Sequence, residues 1–222
     1  MLLEIACFNI QSCIIAQKAG ADRIEFCSDY NSGGITPTHE NIIEARKQIQ
    51  IPLHIIIRPR KGNFVYSKNE IKKMKEDILF CKSNKINGVV LGILNDQNEI
   101  DELACKELIE YTKPMHFTFH RAIDSCKDLN KSVEKLIELG FNSVLTSGGS
   151  SDAKSGIEKL KNLQNNFGNK IIIMPGGGIR PENIKLIKQE TNCIIFHSSA
   201  INLNSKTIDV DIITKLLQAI NS

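Results

Sequence analysis

LHIIIRPRKGNFVYSKNEIKKMKEDILFCKSNKINGVVLGIL, running from Leu53 to Leu94, contains one complete repeat of this chain's architecture. Its two ends, Leu53–Pro59 and Gly88–Leu94, are short and nearly continuous apolar runs, the pattern of strands covered on both faces. Between them, Ser67-Lys68-Asn69-Glu70 forms a capping box, in which a hydroxyl and a carboxylate reciprocally satisfy free N–H groups at a helix start. Ile71, Met74, Ile78 and Cys81 then fall on one face at helical spacing. Strand, helix and strand in this order predict a βαβ unit with parallel strands.

The same alternation extends in both directions. Strands are expected at Leu2–Cys7, Arg23–Cys27, Met115–His120, Ser143–Ser147, Lys170–Met174 and Cys193–His197, which with the two above makes eight. Each gap holds room for one crossover helix. Gly20, Gly140 and Gly168 stand where helical patterns stop, and Ile212, Ile213, Leu216, Leu217 and Ile220 line one side of a closing helix. Eight βα units within 222 residues fit a single α/β domain over residues 1–222, a (β/α)8 TIM barrel. The rival, an open doubly wound sheet, is disfavoured because no G-x-G-x-x-G follows the first strand.

Composition narrows the function. The formal net charge is +3, and basic and acidic residues are interleaved throughout, so no arm for nucleic acid is present. No apolar run approaches the length of a membrane span. Glu4 interrupts the apolar N-terminus, which argues against a signal peptide and for a cytoplasmic protein. The seven cysteines are odd in number and include no C-x-x-C pair, so a disulfide framework or structural zinc site is not expected. Nothing in the sequence fixes the subunit count, and a homo-oligomer is allowed.

In this architecture chemistry gathers where the strands end, and those ends are unusually polar here. Strand 1 carries Glu4 and Cys7, and strand 2 carries Glu25 and Cys27 on one face. Strand 3 ends in Arg58-Pro59-Arg60, strand 5 in His120-Arg121, and strand 6 in Thr146-Ser147. Strand 7 ends in Gly176-Gly177-Gly178 and strand 8 in His197-Ser198-Ser199. Glu25, His120 and His197 are candidates for moving protons. Glu4, Arg58, Arg60, Thr146, Ser147, Gly176, Gly177, Gly178, Ser198 and Ser199 are candidates for binding a ligand, with the glycine turn and the following helix start suited to an anion. The alternative for Glu4, Glu25 and Arg58 is a buried layer of ion pairs; for the glycines it is a tight turn. Asp124 reads as a cap for the next helix.

Several of these stretches together resemble the CutC family: Leu3-Glu4-Ile5, Ala21 to Cys27, Gly33 to Pro37, Ile57 to Arg60, Thr118 to Ala122, Val144 to Gly148, Pro175 to Ile179 and Phe196 to Ala200. The resemblance runs from residue 2 to about 200. It implies a cytoplasmic TIM barrel linked to copper homeostasis, with Cu(I) held by cysteines of the first two strands, here Cys27 and Cys7. One departure bears on this. Members often carry a cysteine two residues after the strand 1 glutamate, and this chain has Ala6 there with Cys7 next to it. Two readings therefore stay open: a Cu(I)-handling protein, and an enzyme acting on a small anionic or phosphorylated metabolite.

Overall fold

The computed structural model describes residues 1–202 and 204–222. Strands and helices alternate as β1 (Leu2–Cys7), α1 (Ile10–Lys18), β2 (Arg23–Phe26), α2 (His39–Gln48), β3 (Leu53–Ile56), α3 (Lys68–Ser83), β4 (Gly88–Leu91) and α4 (Glu102–Thr112). They continue as β5 (His116–Phe119), α5 (Leu129–Leu139), β6 (Ser143–Thr146), α6 (Ile157–Phe167), β7 (Ile172–Pro175), α7 (Ile184–Thr191), β8 (Ile195–Ser198) and α8 (Val210–Asn221). All neighbouring strands pair in parallel, in the order β7-β6-β5-β4-β3-β2-β1-β8. The result is a nearly closed (β/α)8 barrel. Among the described residues no ladder joins β7 to β8, which leaves a seam on that side of the mouth.

The expected strands of β2 to β6 overrun the observed ones at the mouth, whereas those of β7 and β8 begin two residues early and stop one short. Ile57, Ile93 and Leu94 stay buried after the chain has left the ladder, so apolar character outlasts strand pairing there. No helix among the described residues is long and apolar enough to cross a membrane.

Alternation along each strand sorts the side chains into two sets. Leu3, Ile5 and Cys7, with Leu53, Ile55 and Ile57, face the helices and join the main core. The other set faces the barrel axis, and its make-up is uneven. On the β6–β8 side it holds an apolar group, Leu145, Met174 and Ile195 with Ile172 against them, beside Ser143 and His197. On the β1–β5 side it carries Glu4, Arg23, Glu25, His54 and Thr118, all buried.

Helix ends follow the local chemistry. In α3 both halves of the capping box form, Ser67 accepting from the Glu70 N–H and Glu70 accepting from the Ser67 N–H. Replacing Ser67 by Ala should lower stability by about 1 kcal/mol. Urea unfolding should show this as a lower midpoint with an unchanged slope; an unmoved midpoint would mean that α3 does not depend on its cap.

Candidate functional site

The floor of the site is set by register. Glu4 on β1 lies opposite Arg23 on β2 and opposite His197 on β8. Its Oε2 accepts from Arg23 Nε at 2.5 Å and its Oε1 lies 2.7 Å from His197 Nδ1. Burial alone would raise the Glu4 pKa, but Arg23 and then His197 hold it well below the usual carboxylate range. An ionised carboxylate only accepts, so His197 donates from Nδ1 and turns Nε2 the other way. That nitrogen lies 3.7 Å from Glu25 Oε2.

Burial raises the Glu25 pKa above its ordinary value. For His197 burial works against the charged form, yet the bond to Glu4 and the charge on Glu25 leave its pKa raised. The two groups face each other closely enough to gain and lose protons as a pair. Deeper in the barrel His54 stacks on His116 with ring centroids 5.1 Å apart. Burial lowers these two to about 3 and about 4, so both are neutral near pH 7.

Above this floor lies a cavity of about 220 Å³. Glu25, Cys27, Arg58, His120 and His197 line it, as do Gly177, Gly178, Ser198 and Ser199. Arg121, Arg180, Phe8 and Phe64 line it too. The charged lining is thus three arginines against one carboxylate, Glu25.

The remaining expected residues lie elsewhere. Arg60 is turned outward: its guanidinium donates to Glu70 Oε1 at 2.5 Å, to the Asn63 carbonyl at 3.0 Å and to the Val65 carbonyl at 2.7 Å. The ladder of β3 ends at Ile56, so the two-residue strand period no longer sets the direction of Arg60. Thr146 faces the helix layer, where its hydroxyl donates to Asp124. Ser147 is hydrogen-bonded to Asp124 as well and accepts from Arg121. Gly176 packs against Leu145 and His197, with no room for a side chain. Glu4 lies beneath the cavity and reaches it only through His197. Cys7 is on the wrong face: it packs in the main core and interacts with Cys13 of α1, while its neighbour Ala6 lines the cavity. Asp124 does not cap α5; Asp128 does.

Arg121, Arg180 and Arg23 were not singled out as site residues. Arg23 could have been, because it shares strand parity with Glu25. Arg121 is braced by Asp124, to which its Nε donates at 2.8 Å, and by Ser147 Oγ at 3.0 Å from Nη2. It lies across Gly177, where an added Cβ would come within 2.8 Å of its guanidinium carbon. Gly177 and Gly178 take φ of 88° and 74°, the left-handed region open to glycine. Among the described residues, the N–H groups of Gly177, Gly178 and Ile179 donate to no protein acceptor. Arg180 adds a buried Nη1 without a partner. Free backbone N–H groups in a left-handed turn beside two arginines have the chemistry to hold an anion.

Residues 1–202 match the CutC family. The chain belongs to that family. A CutC family protein of Parabacteroides distasonis is 42% identical over 200 residues, covering 90% of this chain and 82% of the relative. The human copper homeostasis protein cutC homolog is 39% identical over 199 residues, covering 90% of this chain and 73% of that protein. The crystal structure of CutC from Streptococcus agalactiae superposes with a TM-score of 0.86 at 35% identity, over 90% of this chain and 98% of the other. Phosphoribosyl anthranilate isomerase from Thermotoga maritima shares the barrel at a TM-score of 0.68 and 15% identity, over 100% of this chain and 98% of the other, a likeness of fold alone.

The buried histidines of this CutC barrel make its stability depend on pH. Below the ordinary histidine value of 6.5 the unfolded chain takes up protons that folded His116 refuses until about 4, and folded His54 and His120 until about 3. Their contribution is therefore complete above pH 6.5 and is lost as pH falls. Below about 4.5 Glu4 adds to the loss, because the unfolded carboxylate protonates first. His197 and Glu25, both with raised values, oppose the trend, each losing its contribution as pH rises through its folded value. The three lowered histidines, with Glu4, outweigh these two, so the melting temperature should fall from pH 6.5 to 4, less steeply in His54→Asn. A flat profile would show that these rings are not desolvated.

Proposed function

We propose that this protein binds a small phosphorylated or carboxylated metabolite at the barrel mouth and moves a proton on it through the Glu25–His197 pair. The observation that carries the reading is convergence. Arg121, Arg180 and the free N–H groups of Gly177 to Ile179 meet in the same cavity as a carboxyl–imidazole pair with both pKa values raised. Groups shifted in this way and facing a cleft are where acid–base chemistry is found. Phe8 and Phe64 supply the apolar part of the wall.

The test is calorimetric titration with inorganic phosphate near neutral pH. Binding is expected, and Arg180→Ala should weaken it by about tenfold or more, since a hydrogen bond to a charged group contributes about 1.5–3 kcal/mol. Gly177→Ala should weaken it as well, by pushing Arg121 out of place. Absence of binding by phosphate and by simple phosphate monoesters would end the proposal.

Relatives are named for copper homeostasis, and Cu(I) is the cargo that name suggests. The donors of this cavity do not suit it. Cu(I) favours soft thiolates, and among the described residues Cys27 is the one thiol lining the mouth. Burial, and then the Glu25 charge, push that thiol well above its ordinary pKa, away from the thiolate a metal needs. Among the described residues no cluster of three or more His, Cys, Asp or Glu side chains is placed to hold an ion. Anaerobic Cu(I) titration should therefore give equally weak binding to the wild type and to Cys27→Ala. Tight binding lost with Cys27 would restore the thiolate reading.

A further inference from the structure

His120 and Arg58 stand on the cavity wall, and both pack against Phe64. The His120 ring is 4.9 Å from the Phe64 ring, centroid to centroid, and the Arg58 guanidinium carbon is 5.0 Å from it. Both side chains are more than nine-tenths buried. Each also holds one buried polar atom that makes no hydrogen bond within the protein, His120 Nε2 and Arg58 Nε, although the Tyr66 hydroxyl lies against the Arg58 guanidinium.

The local geometry fixes what these atoms are. The Ala122 N–H donates to His120 Nδ1 at 3.2 Å, so Nδ1 presents a lone pair. Burial, reinforced by the Arg58 charge, lowers His120 to about 3, and the ring is neutral near pH 7. A neutral imidazole that accepts at Nδ1 carries its proton on Nε2. The ring has no freedom to turn away, because it fills the space that a side chain at position 92 would need. A Cβ on Gly92 would lie 2.5 Å from Nδ1. This histidine is therefore a fixed donor rather than the proton carrier that its residue type suggests.

Arg58 is equally constrained. Its Nη1 donates to the carbonyls of Ser32 at 2.8 Å and Gly34 at 2.9 Å, and its Nη2 to that of Gly62 at 3.0 Å. These bonds tie the β2–α2 and β3–α3 connections together and consume the outer face of the guanidinium. The Nε–H is left over. A buried donor without a partner is costly, and two of them on one cavity wall point to a ligand that satisfies both.

The geometry points to an oxyanion site: His120 Nε2–H and Arg58 Nε–H donate to a carbonyl or carboxylate oxygen of a ligand whose phosphate lies in the cradle at Gly177 to Ile179. This rests on the anion-binding reading and narrows its substrate class to short phosphorylated carbonyl or carboxylate compounds. At about 220 Å³ the cavity is smaller than the roughly 300–1,000 Å³ of sites for larger ligands. With a carbonyl compound, ionised Glu25 takes a proton from the carbon beside the carbonyl. The C–H electron pair becomes the new C=C bond, and the carbonyl π pair moves onto oxygen, where the two N–H groups hold the charge. Return of the proton from Glu25 reverses each step. Donors fixed in place before charge develops are the strongest form of such stabilisation.

Two measurements test this. In 15N-histidine NMR of the wild type at pH 7, His120 should show the neutral Nε2–H tautomer. Adding 2-phosphoglycolate should shift that Nε2–H resonance, and adding inorganic phosphate should shift it much less. In calorimetry, 2-phosphoglycolate should bind about tenfold or more tightly than phosphate. That ratio should fall towards one in His120→Phe and be partly kept in His120→Gln, whose amide still donates. An Nδ1–H tautomer, an imidazolium, or a wild-type ratio near one would overturn the inference while leaving phosphate binding, and the anion reading, in place. Failure of both compounds to bind would remove the anion reading and this inference with it. The spectroscopic arm needs no substitution, so it decides the matter even where a variant does not fold.

Discussion

A carboxylate sealed inside a barrel must be neutralised by its neighbours, and Glu4 is neutralised from both sides, by Arg23 on β2 and His197 on β8. Breaking a buried pair of this kind by removing one partner costs about 3–5 kcal/mol, because the other charge is left stranded. The pair therefore ties together three adjacent strands, β8, β1 and β2, on the side of the seam where β7 and β8 lack a ladder. It also sets the chemistry above it. With Nδ1 committed to Glu4, His197 has one tautomer and one orientation, and Nε2 faces Glu25 at 3.7 Å. The barrel floor thus contributes to stability and at the same time fixes how His197 is presented to Glu25.

Strand parity explains most of what was legible in the sequence. Eight apolar runs of strand length, helix stops at glycine and a capping box suffice to give the barrel, since those signals are local. Parity also puts Glu25 and Cys27 together on the axis, where both line the cavity. The same rule applied one turn of the pleat earlier reaches Arg23, whose charge could have been matched to Glu4 across the ladder. Parity fails where the ladder stops. Arg60 lies beyond the end of β3, and its direction is decided by Glu70 and by two loop carbonyls that no period predicts. Thr146 and Ser147 were misleading for a related reason. A polar residue at a strand end signals that a hydrogen bond is made there, and theirs go to Asp124, which braces Arg121 instead of capping a helix.

The single-residue offset between Ala6 and Cys7 bears on the family's link to copper. On a strand one step turns a side chain from the axis to the helix layer. Cys7 accordingly lies in the apolar core with Cys13, where a free thiol behaves as a small hydrophobe. Cys27 keeps its inward position but is left with a carboxyl group at 3.6 Å as its closest polar neighbour. Membership of CutC is carried by the whole barrel and its strand ends, whereas a two-thiol ion site depends on the parity of one position. The first can persist without the second.

The mouth is polar in a way that a folded protein does not need for its own sake. Arg58, Arg180 and His120 each keep a buried polar atom unsatisfied, although the other nitrogens of Arg58 are bonded to loop carbonyls and His120 is bonded at Nδ1. Folding has had every opportunity to pair these atoms with a nearby carbonyl, as it did for the remaining nitrogens of Arg58. Leaving them unpaired sacrifices stability, and rigid partners on three different loops hold that arrangement in place. A ligand that supplies the missing acceptors recovers the loss without reordering the loops, so little of its binding energy is spent on rearrangement. Unsatisfied donors on a rigid frame are thus the physical form of a preorganised site, and here they line one cavity above the Glu4 pairs that link β8, β1 and β2.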